Sequence, residues 1–452
     1  MSPELRYLDA LQGSGIRPGL DRMRALLRAA GRPERRVPAI LVAGTNGKGS
    51  TAATLASILT RSGYRTGLYT SPHLVSIRER WQIDGEPVAA SRLREAIRRL
   101  QRLEKEAALR PTYFEALTIL AFLLFDGCGC EVSVLEVGMG GRLDATNVVR
   151  PLASVVTPVG IDHAEWLGRT VKAIAREKAG IIHRGSIAVT ANRDAEVLRV
   201  LAARAANFGA PLHRVDREVA IGSVRGTARG VAFSYRSSSI AIRLRSPLAG
   251  EHQVENVALA VRTAELLRPR LPRIEPATIV AGVAATRWRG RLELFPIGRG
   301  VWVDGAHNPH ALARIAPFVA RHLPRPRTLV FGVLRDKPFE EMAAMLVPLF
   351  QRVIVTEPPS ERALPAGEAA ERIADPHAVP VRAIADPKRA IRAALDEGDA
   401  VLVCGSLYLA GEAVGLLDRL TPSGRDEARR EPRRERARSR STSPRRPRAG
   451  RT

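Results

Sequence analysis

Between Ile40 and Ala191, short unbroken apolar runs alternate with stretches whose apolar positions recur every three or four residues. The strand-like runs are "AILVAG", "TILAFLLFDG", "EVSVLEVG", "LASVVTPVG" and "SIAVTAN". A helix follows Lys48, with Leu55, Ile58 and Leu59 on one face. Runs apolar throughout belong to strands buried on both faces, so this alternation predicts an α/β unit, a mostly parallel sheet covered by helices on both sides. A second series starts near Leu292 with "LELFPIGRGVWVDGAHNP", continues through "RTLVFGVLRD" and "QRVIVTEPP", and closes with "DAVLVCGSLYLAGE". It predicts a second, smaller Rossmann-like α/β domain. Residues 215–245, with "VAFSYRSSSIAIRLR", predict a small antiparallel excursion inside the first domain. The charged, glycine-broken "ATRWRGRLE" (Ala285–Glu293) marks the boundary, giving domains 1–290 and 291–420 and a tail 421–452.

At the first strand-to-helix junction lies "GTNGKGS", with Gly44, Gly47 and Gly49 around Thr45, Asn46, Lys48 and Ser50. Glycines let the main chain approach a polyphosphate, the helix start offers unpaired N–H groups, and Lys48 adds a point charge. A nucleotide phosphate fits such a loop, which makes the first domain a P-loop-type ATPase candidate. The spacing departs from G-x-x-x-x-G-K-[ST]: two residues separate Gly44 from Gly47, and Gly49 stands between Lys48 and Ser50. The bland alternative is a glycine-rich turn that lets a helix pack on a sheet.

Composition narrows the setting. The chain has 452 residues, ample for two or three domains, and three scattered cysteines (Cys128, Cys130, Cys404), too few for a disulfide framework. A cytoplasmic location is expected, because the first ten residues have no leader pattern and the strongest apolar run, Ile119–Phe125, is too short to span a bilayer. The net charge of +25 is partly an end effect: Thr421 to Thr452 holds twelve arginines against four acids, a net of +8. With almost nothing apolar to bury, that Arg-rich tail is expected to be disordered and to make at most nonspecific contacts with polyanions.

Nine further segments decide what the loop serves. In order they are "TSPHLVSIRER", "PTYFEALT", "LEVGMGGRLDATN", "TPVGIDHAEWLG", "IAREKAGII", "HQVENVALA", "WRGRLE", "VDGAHNP" and "CGSLYLAGE". Together with the loop they resemble the folylpolyglutamate synthase and dihydrofolate synthase family of the Mur ligase superfamily, over roughly residues 1–418. The resemblance implies ATP-driven amide formation between L-glutamate and dihydropteroate, reduced folates or both, through an acyl phosphate. It implies small-molecule substrates, magnesium, a monovalent cation such as potassium, no membrane, and a monomer.

The resemblance also assigns residues. Magnesium would be held by Ser71, Glu136 and His163. On the residues alone, Glu136 also reads as a strand-end ion pair and His163 as a capping or core histidine, since magnesium prefers oxygen ligands. Lys178 reads alone as an exposed helical ion pair; the resemblance makes it catalytic and carbamylated. ATP would be held by residues 45–50, Asn256, Arg291 and Asp304, with His307 nearby. Because Arg291 and Asp304 belong to the second domain or its hinge, ATP would bridge the two. The pterin would lie against Tyr113 and Phe114, with Thr112, Glu115, Gly19, Leu20, Leu143, Asp144 and Ala145. Lys337 and Ser406 would meet glutamate. Arg289 stands where the family pattern commonly has proline, leaving the hinge's rigidity open.

Two rival readings remain at this point. One is a nucleic-acid-associated NTPase, suggested by the charge but without a helix-turn-helix or zinc-finger pattern in the body. The other is a Mur-type ligase acting on a different carboxylate, against which "TSPHL…RER" and "TYFE" suit a pterin pocket.

Overall fold

In the computed structural model, residues 2–15, 17–377 and 379–421 are described. The Arg-rich tail expected beyond Thr421 lies outside them. Among the described residues the chain forms three sheets. The first contains β1 (Ala39–Ala43), β2 (Thr66–Tyr69), β3 (Trp81–Ile83), β4 (Glu86–Pro87), β5 (Val132–Glu136), β6 (Ala153–Val156), β7 (Ile187–Thr190) and β8 (Leu212–Arg214), in the spatial order 4-3-2-5-1-6-7-8. The pairs from β2 through β8 are parallel, and β3 and β4 form an antiparallel edge. Every residue of β1 is buried. Leu41 and Ala43 face one core with helix Tyr113–Gly127, while Ile40 and Val42 face the other with helices Lys48–Arg61 and His252–Leu267.

One sequence expectation is corrected. "TILAFLLFDG" is not a strand; it belongs to helix Tyr113–Gly127. Thr112 caps this helix by accepting from Glu115 N–H, and the Glu115 carboxylate returns a bond to Thr112 N–H, a capping box that starts a helix whatever follows. The helix is buried nearly all round because one side meets the sheet and the other the N-terminal helices, so no polar stripe betrays its period.

The strands β9 (Ala220–Thr227), β10 (Gly230–Arg236) and β11 (Ala241–Ser246) form an antiparallel sheet that packs on helices His252–Leu267 and Pro276–Ala285. The third sheet follows the linker: β12 (Glu293–Phe295), β13 (Val301–Val303), β14 (Arg327–Phe331), β15 (Arg352–Val355), β16 (Val381–Ala383) and β17 (Ala400–Cys404), in the order 12-13-17-14-15-16. Only the β12–β13 pair is antiparallel.

The linker is fastened to the second unit. Arg289 forks onto Asp418, with both nitrogen–oxygen distances 2.8 Å, and its Nε donates to Glu293 at 2.8 Å. Its guanidinium also lies 5.7 Å from the Phe295 ring. An ion-pair network thus holds the segment at the position where proline stiffens the family pattern. No helix among the described residues is long and apolar enough to cross a membrane.

Candidate active site

Parallel strands deliver their C-terminal ends to one edge of a sheet, and ligands of open α/β sheets collect there. In the first unit the ends of β1, β5 and β6 supply the glycine loop, Glu136 and the segment Thr157–His163. In the second, the ends of β13, β14 and β17 supply Asp304–His307, Lys337 and Ser406. These two edges face one another across a cleft of about 390 Å³ lined by Thr45–Ser50, Ser71, Glu136, His163 and Asn256 from one side and Arg291, Asp304, His307, Lys337 and Ser406 from the other.

The loop is held from outside at each turn. Thr45 Oγ1 donates to Gly160 O at 2.9 Å and accepts from Gly160 N–H at 3.0 Å. Gly47 has φ +85°, and a Cβ there would come within 2.3 Å of Asn256 Oδ1, so both backbone and space require glycine. Lys48 Nζ curls onto the loop's own carbonyls, Gly44 O at 3.2 Å and Thr45 O at 3.1 Å. The indole of Trp288, from the linker, lies against Gly49, where a Cβ would meet the ring at 2.6 Å. Trp288 Nε1 is buried and has no hydrogen-bond partner among the described residues. A donor-only group left unpaired beside a phosphate loop suits an anionic or ribose oxygen.

The carboxylates are kept out of water. Burial pushes Glu136 above the usual carboxylate range, against the pull of Lys48, and among the described residues only Ser71 N–H bonds it, at 3.1 Å. A buried carboxylate with spare acceptor capacity, next to a hydroxyl and a phosphate loop, is the donor set a hard divalent cation takes. His163 begins the short helix Ala164–Leu167, and burial lowers its imidazole below the ordinary histidine value against the pull of Asp162, with Lys337 and Lys48 acting in the same sense as burial. The three residues line one cleft and would hold magnesium together with the polyphosphate. Burial also raises Asp304, whose oxygens accept from Leu292 N–H and Ala306 N–H beside Arg291. His307 is driven down to about 4 by burial, and its Nδ1–H donates to Gly305 O at 2.8 Å, which leaves Nε2 as an acceptor.

Contacts absent from the sequence reading tie the two edges together. Asn46 Nδ2 lies 2.8 Å from His310 Nδ1, and the Asn46 and Asn308 side chains exchange hydrogen bonds at 3.3 Å. Asp162 pairs with Lys337 at 3.6 Å. Asn308 and His310 follow "DGAH" and Asp162 precedes His163, so their places in the motifs were the available signal.

Residues 42–264 match the Mur ligase middle domain, and residues 290–407 match the Mur ligase, glutamate ligase domain. The folylpolyglutamate synthase of Lacticaseibacillus casei is 36% identical over 405 residues, 86% of this chain and 92% of that protein. The dihydrofolate synthase/folylpolyglutamate synthase of Bacillus subtilis is 36% identical over 340 residues, 74% of this chain and 79% of that one. A crystal structure of Mycobacterium tuberculosis folylpolyglutamate synthase complexed with ADP and AMPPCP superposes with a TM-score of 0.85 at 33% identity, covering 92% of this chain and 98% of that one. The chain belongs to the folylpolyglutamate synthase/dihydrofolate synthase family of Mur ligases. It is an ATP-dependent ligase.

Other residues expected at this ligase's site are spread around the cleft. Phe114 lies directly behind it: a Cβ at Gly138, on the cleft wall, would come within 2.4 Å of the Phe114 ring. Tyr113 instead lines a neighbouring cavity, with its N–H bonded to Ser14 Oγ. Glu115 is held by Arg22, which donates to both its oxygens at 2.9 Å, in addition to the helix cap. Asp144 likewise ties its own loop, accepting from Met139 N–H, Thr146 N–H and Thr146 Oγ1, with Ala145 buried behind it and Leu143 39% exposed. Gly19 and the buried Leu20 precede helix Asp21–Ala29. Ser406 caps helix Leu407–Leu420, accepting from Tyr408 N–H at 3.0 Å.

Lys178 corrects the reading of an exposed ion pair. It is 5% exposed, and Nζ donates to Gly44 O at 2.7 Å, beneath the phosphate loop. Burial, with Lys48 close by, lowers its amine to about 7. Its neighbour Glu177 carries the surface ion pair, to Arg142.

Proposed function

We propose that this ligase joins the amino group of L-glutamate to the carboxyl of dihydropteroate, with reduced folates as a second class of acceptor, through an acyl phosphate. The observation that carries the reading is a single cleft in which a phosphate loop and a buried carboxylate oppose Arg291, Lys337 and Ser406 of the glutamate ligase domain. A carboxylate resists attack by an amine until one oxygen becomes part of a leaving group. An oxygen of the acceptor carboxylate attacks the γ-phosphorus of ATP, the bond to the bridging oxygen breaks, and ADP leaves. The glutamate nitrogen then attacks the acyl carbon, the carbon–oxygen bond breaks, and phosphate departs while the nitrogen gives up a proton.

In this reading the N–H groups of residues 45–50 and Lys48 hold the phosphates in line. Trp288 Nε1 donates to the nucleotide beside Gly49, and Asn256, Arg291 and Asp304 fix its position from the hinge side. Magnesium, held by Ser71, Glu136 and His163, would neutralise charge on the polyphosphate. Lys337 pairs with a glutamate carboxylate, exchanging it for Asp162, and Ser406 adds a hydroxyl. His307 Nε2 takes the proton from the nitrogen after it has bonded to the acyl carbon, when that nitrogen is far more acidic than a free amine. The neutral amine of Lys178 is the form that adds carbon dioxide. The resulting carbamate would place negative charge beside Lys48, under the loop.

Glutamate-dependent ADP release, measured with dihydropteroate and with tetrahydrofolate in magnesium and potassium, tests the reading. Glutamate-dependent ADP is expected with dihydropteroate and with tetrahydrofolate. No glutamate-dependent ADP with either acceptor would overturn it.

A further inference from the structure

Beside the nucleotide cleft lies a second cavity, of about 440 Å³. It separates the segment after Ser71 from helix Leu407–Leu420 and shares Pro72, Leu407 and Tyr408 with the cleft as a common wall. Backbone contact sets its width: a Cβ at Gly411 of the helix would come within 2.1 Å of Leu74 O. Arg80, at the end of the turn Ile77–Arg80, forms part of the lining.

Arg80 is only 6% exposed. Its Nε donates to His73 Nδ1 at 2.9 Å, and its guanidinium lies 5.9 Å from the Tyr113 ring. Among the described residues no carboxylate pairs with it. Glu79, next to it in the chain, spends its oxygens on the N–H groups of Leu74, Val75 and Ser76. The opposite wall adds Lys388 and Arg419 against one acid, Glu412, which Lys388 already holds at 3.2 Å. The guanidinium thus meets the cavity with no ion-pair partner among the described residues, the buried Glu136 acting on it only at longer range, and the cavity adjoins the cleft of carboxylate chemistry.

The two acceptor classes differ in the group such a cation would recognise. Dihydropteroate carries one carboxylate, and that one reacts. A reduced folate carries two on its glutamyl residue: the γ-carboxyl reacts, and the α-carboxylate keeps its charge close to the reaction centre. We infer that Arg80 binds the non-reacting α-carboxylate of a glutamyl-bearing acceptor in this cavity, and so selects reduced folates over dihydropteroate. The inference rests on the proposed ligase reading and deepens it. The planar fork of arginine matches a carboxylate at two points, and the Tyr113 ring lies 5.9 Å from the guanidinium carbon.

The test compares the wild type and Arg80→Met with dihydropteroate, tetrahydrofolate, and tetrahydrofolate whose α-carboxylate is an amide. In the wild type, kcat/KM with the α-amide should fall at least about tenfold below tetrahydrofolate, the lower end for a hydrogen bond between charged groups. In Arg80→Met the preference for tetrahydrofolate over dihydropteroate should fall by a similar factor, with no further loss on amidation. Equal use of the acid and the amide by the wild type would overturn the inference, and that arm stands even if the variant fails to fold. So would an equal loss with dihydropteroate and tetrahydrofolate in Arg80→Met, or a wild type active on dihydropteroate alone. A wild type without glutamate-dependent ADP formation on all three would overturn the ligase reading itself, and the inference with it.

Discussion

Lys178 carries a stability cost that its proposed role explains. Its amine is held at about 7 in the folded chain against 10.5 for an ordinary lysine. Between those values the unfolded chain binds a proton that the folded chain lacks, so folding stability rises with pH across that window. Below about 7 both states are protonated and the cost of burial is fully present. Lys178→Met, studied in carbon dioxide-free buffer, should therefore unfold at a higher temperature than the wild type at pH 7. The gain should shrink as pH approaches 10, while turnover falls steeply. Gly44 O keeps Lys48 as a donor in the variant. Thermal unfolding across this pH range, beside an activity assay, checks both; a variant less stable at every pH would contradict it. Nothing in "AREKAG" separates the buried lysine from its exposed neighbours, because which face of that helix meets the phosphate loop is decided by tertiary packing. The place of Glu136 on the cleft was legible because it ends an apolar strand of a parallel sheet, while its use as a metal ligand came from the resemblance alone. Arg80 was quoted in a motif, and its lack of a counter-ion appears only in three dimensions.

At the scale of elements, the interdomain linker does more than connect. Trp288 lies on the phosphate loop, Arg289 holds the last helix through Asp418, and Gly290 O accepts from Gly305 N–H at 2.9 Å. In the proposed reading, nucleotide on the loop would meet the segment that fastens the second unit. Trp288→Phe keeps an aromatic ring in the linker and removes the N–H together with part of the indole surface beside Gly49, so the unfolding temperature should fall by only a few degrees. KM for ATP should rise about tenfold, the scale of one hydrogen bond to a charged group. Steady-state kinetics in ATP decide it, and an unchanged KM would remove Trp288 from the nucleotide site. Most strands were readable from the sequence because breaks in apolar runs mark them. The helix Tyr113–Gly127 was not, since an element buried on every side has no period, although Thr112 and Glu115 at capping spacing were there to be read.

At the scale of the whole molecule, two sheets present their C-terminal edges to each other and neither edge holds a complete site. The parts were visible as motifs. Their apposition was not, because the amide pair Asn46–Asn308 spans 262 positions of sequence and the facing of two separate sheets leaves no local pattern. The charge of +25 suggested a polyanion partner, yet the cations that line the cleft and the adjoining cavity suit phosphates and carboxylates of small molecules. The central claim is that one oxygen of the acceptor carboxylate passes to the γ-phosphate of ATP before glutamate attacks. Turnover of dihydropteroate labelled with oxygen-18 in its carboxyl group tests it most directly, by mass analysis of the phosphate released. One labelled oxygen in each phosphate is the expected result; phosphate free of label, formed while the amide accumulates, would contradict the account.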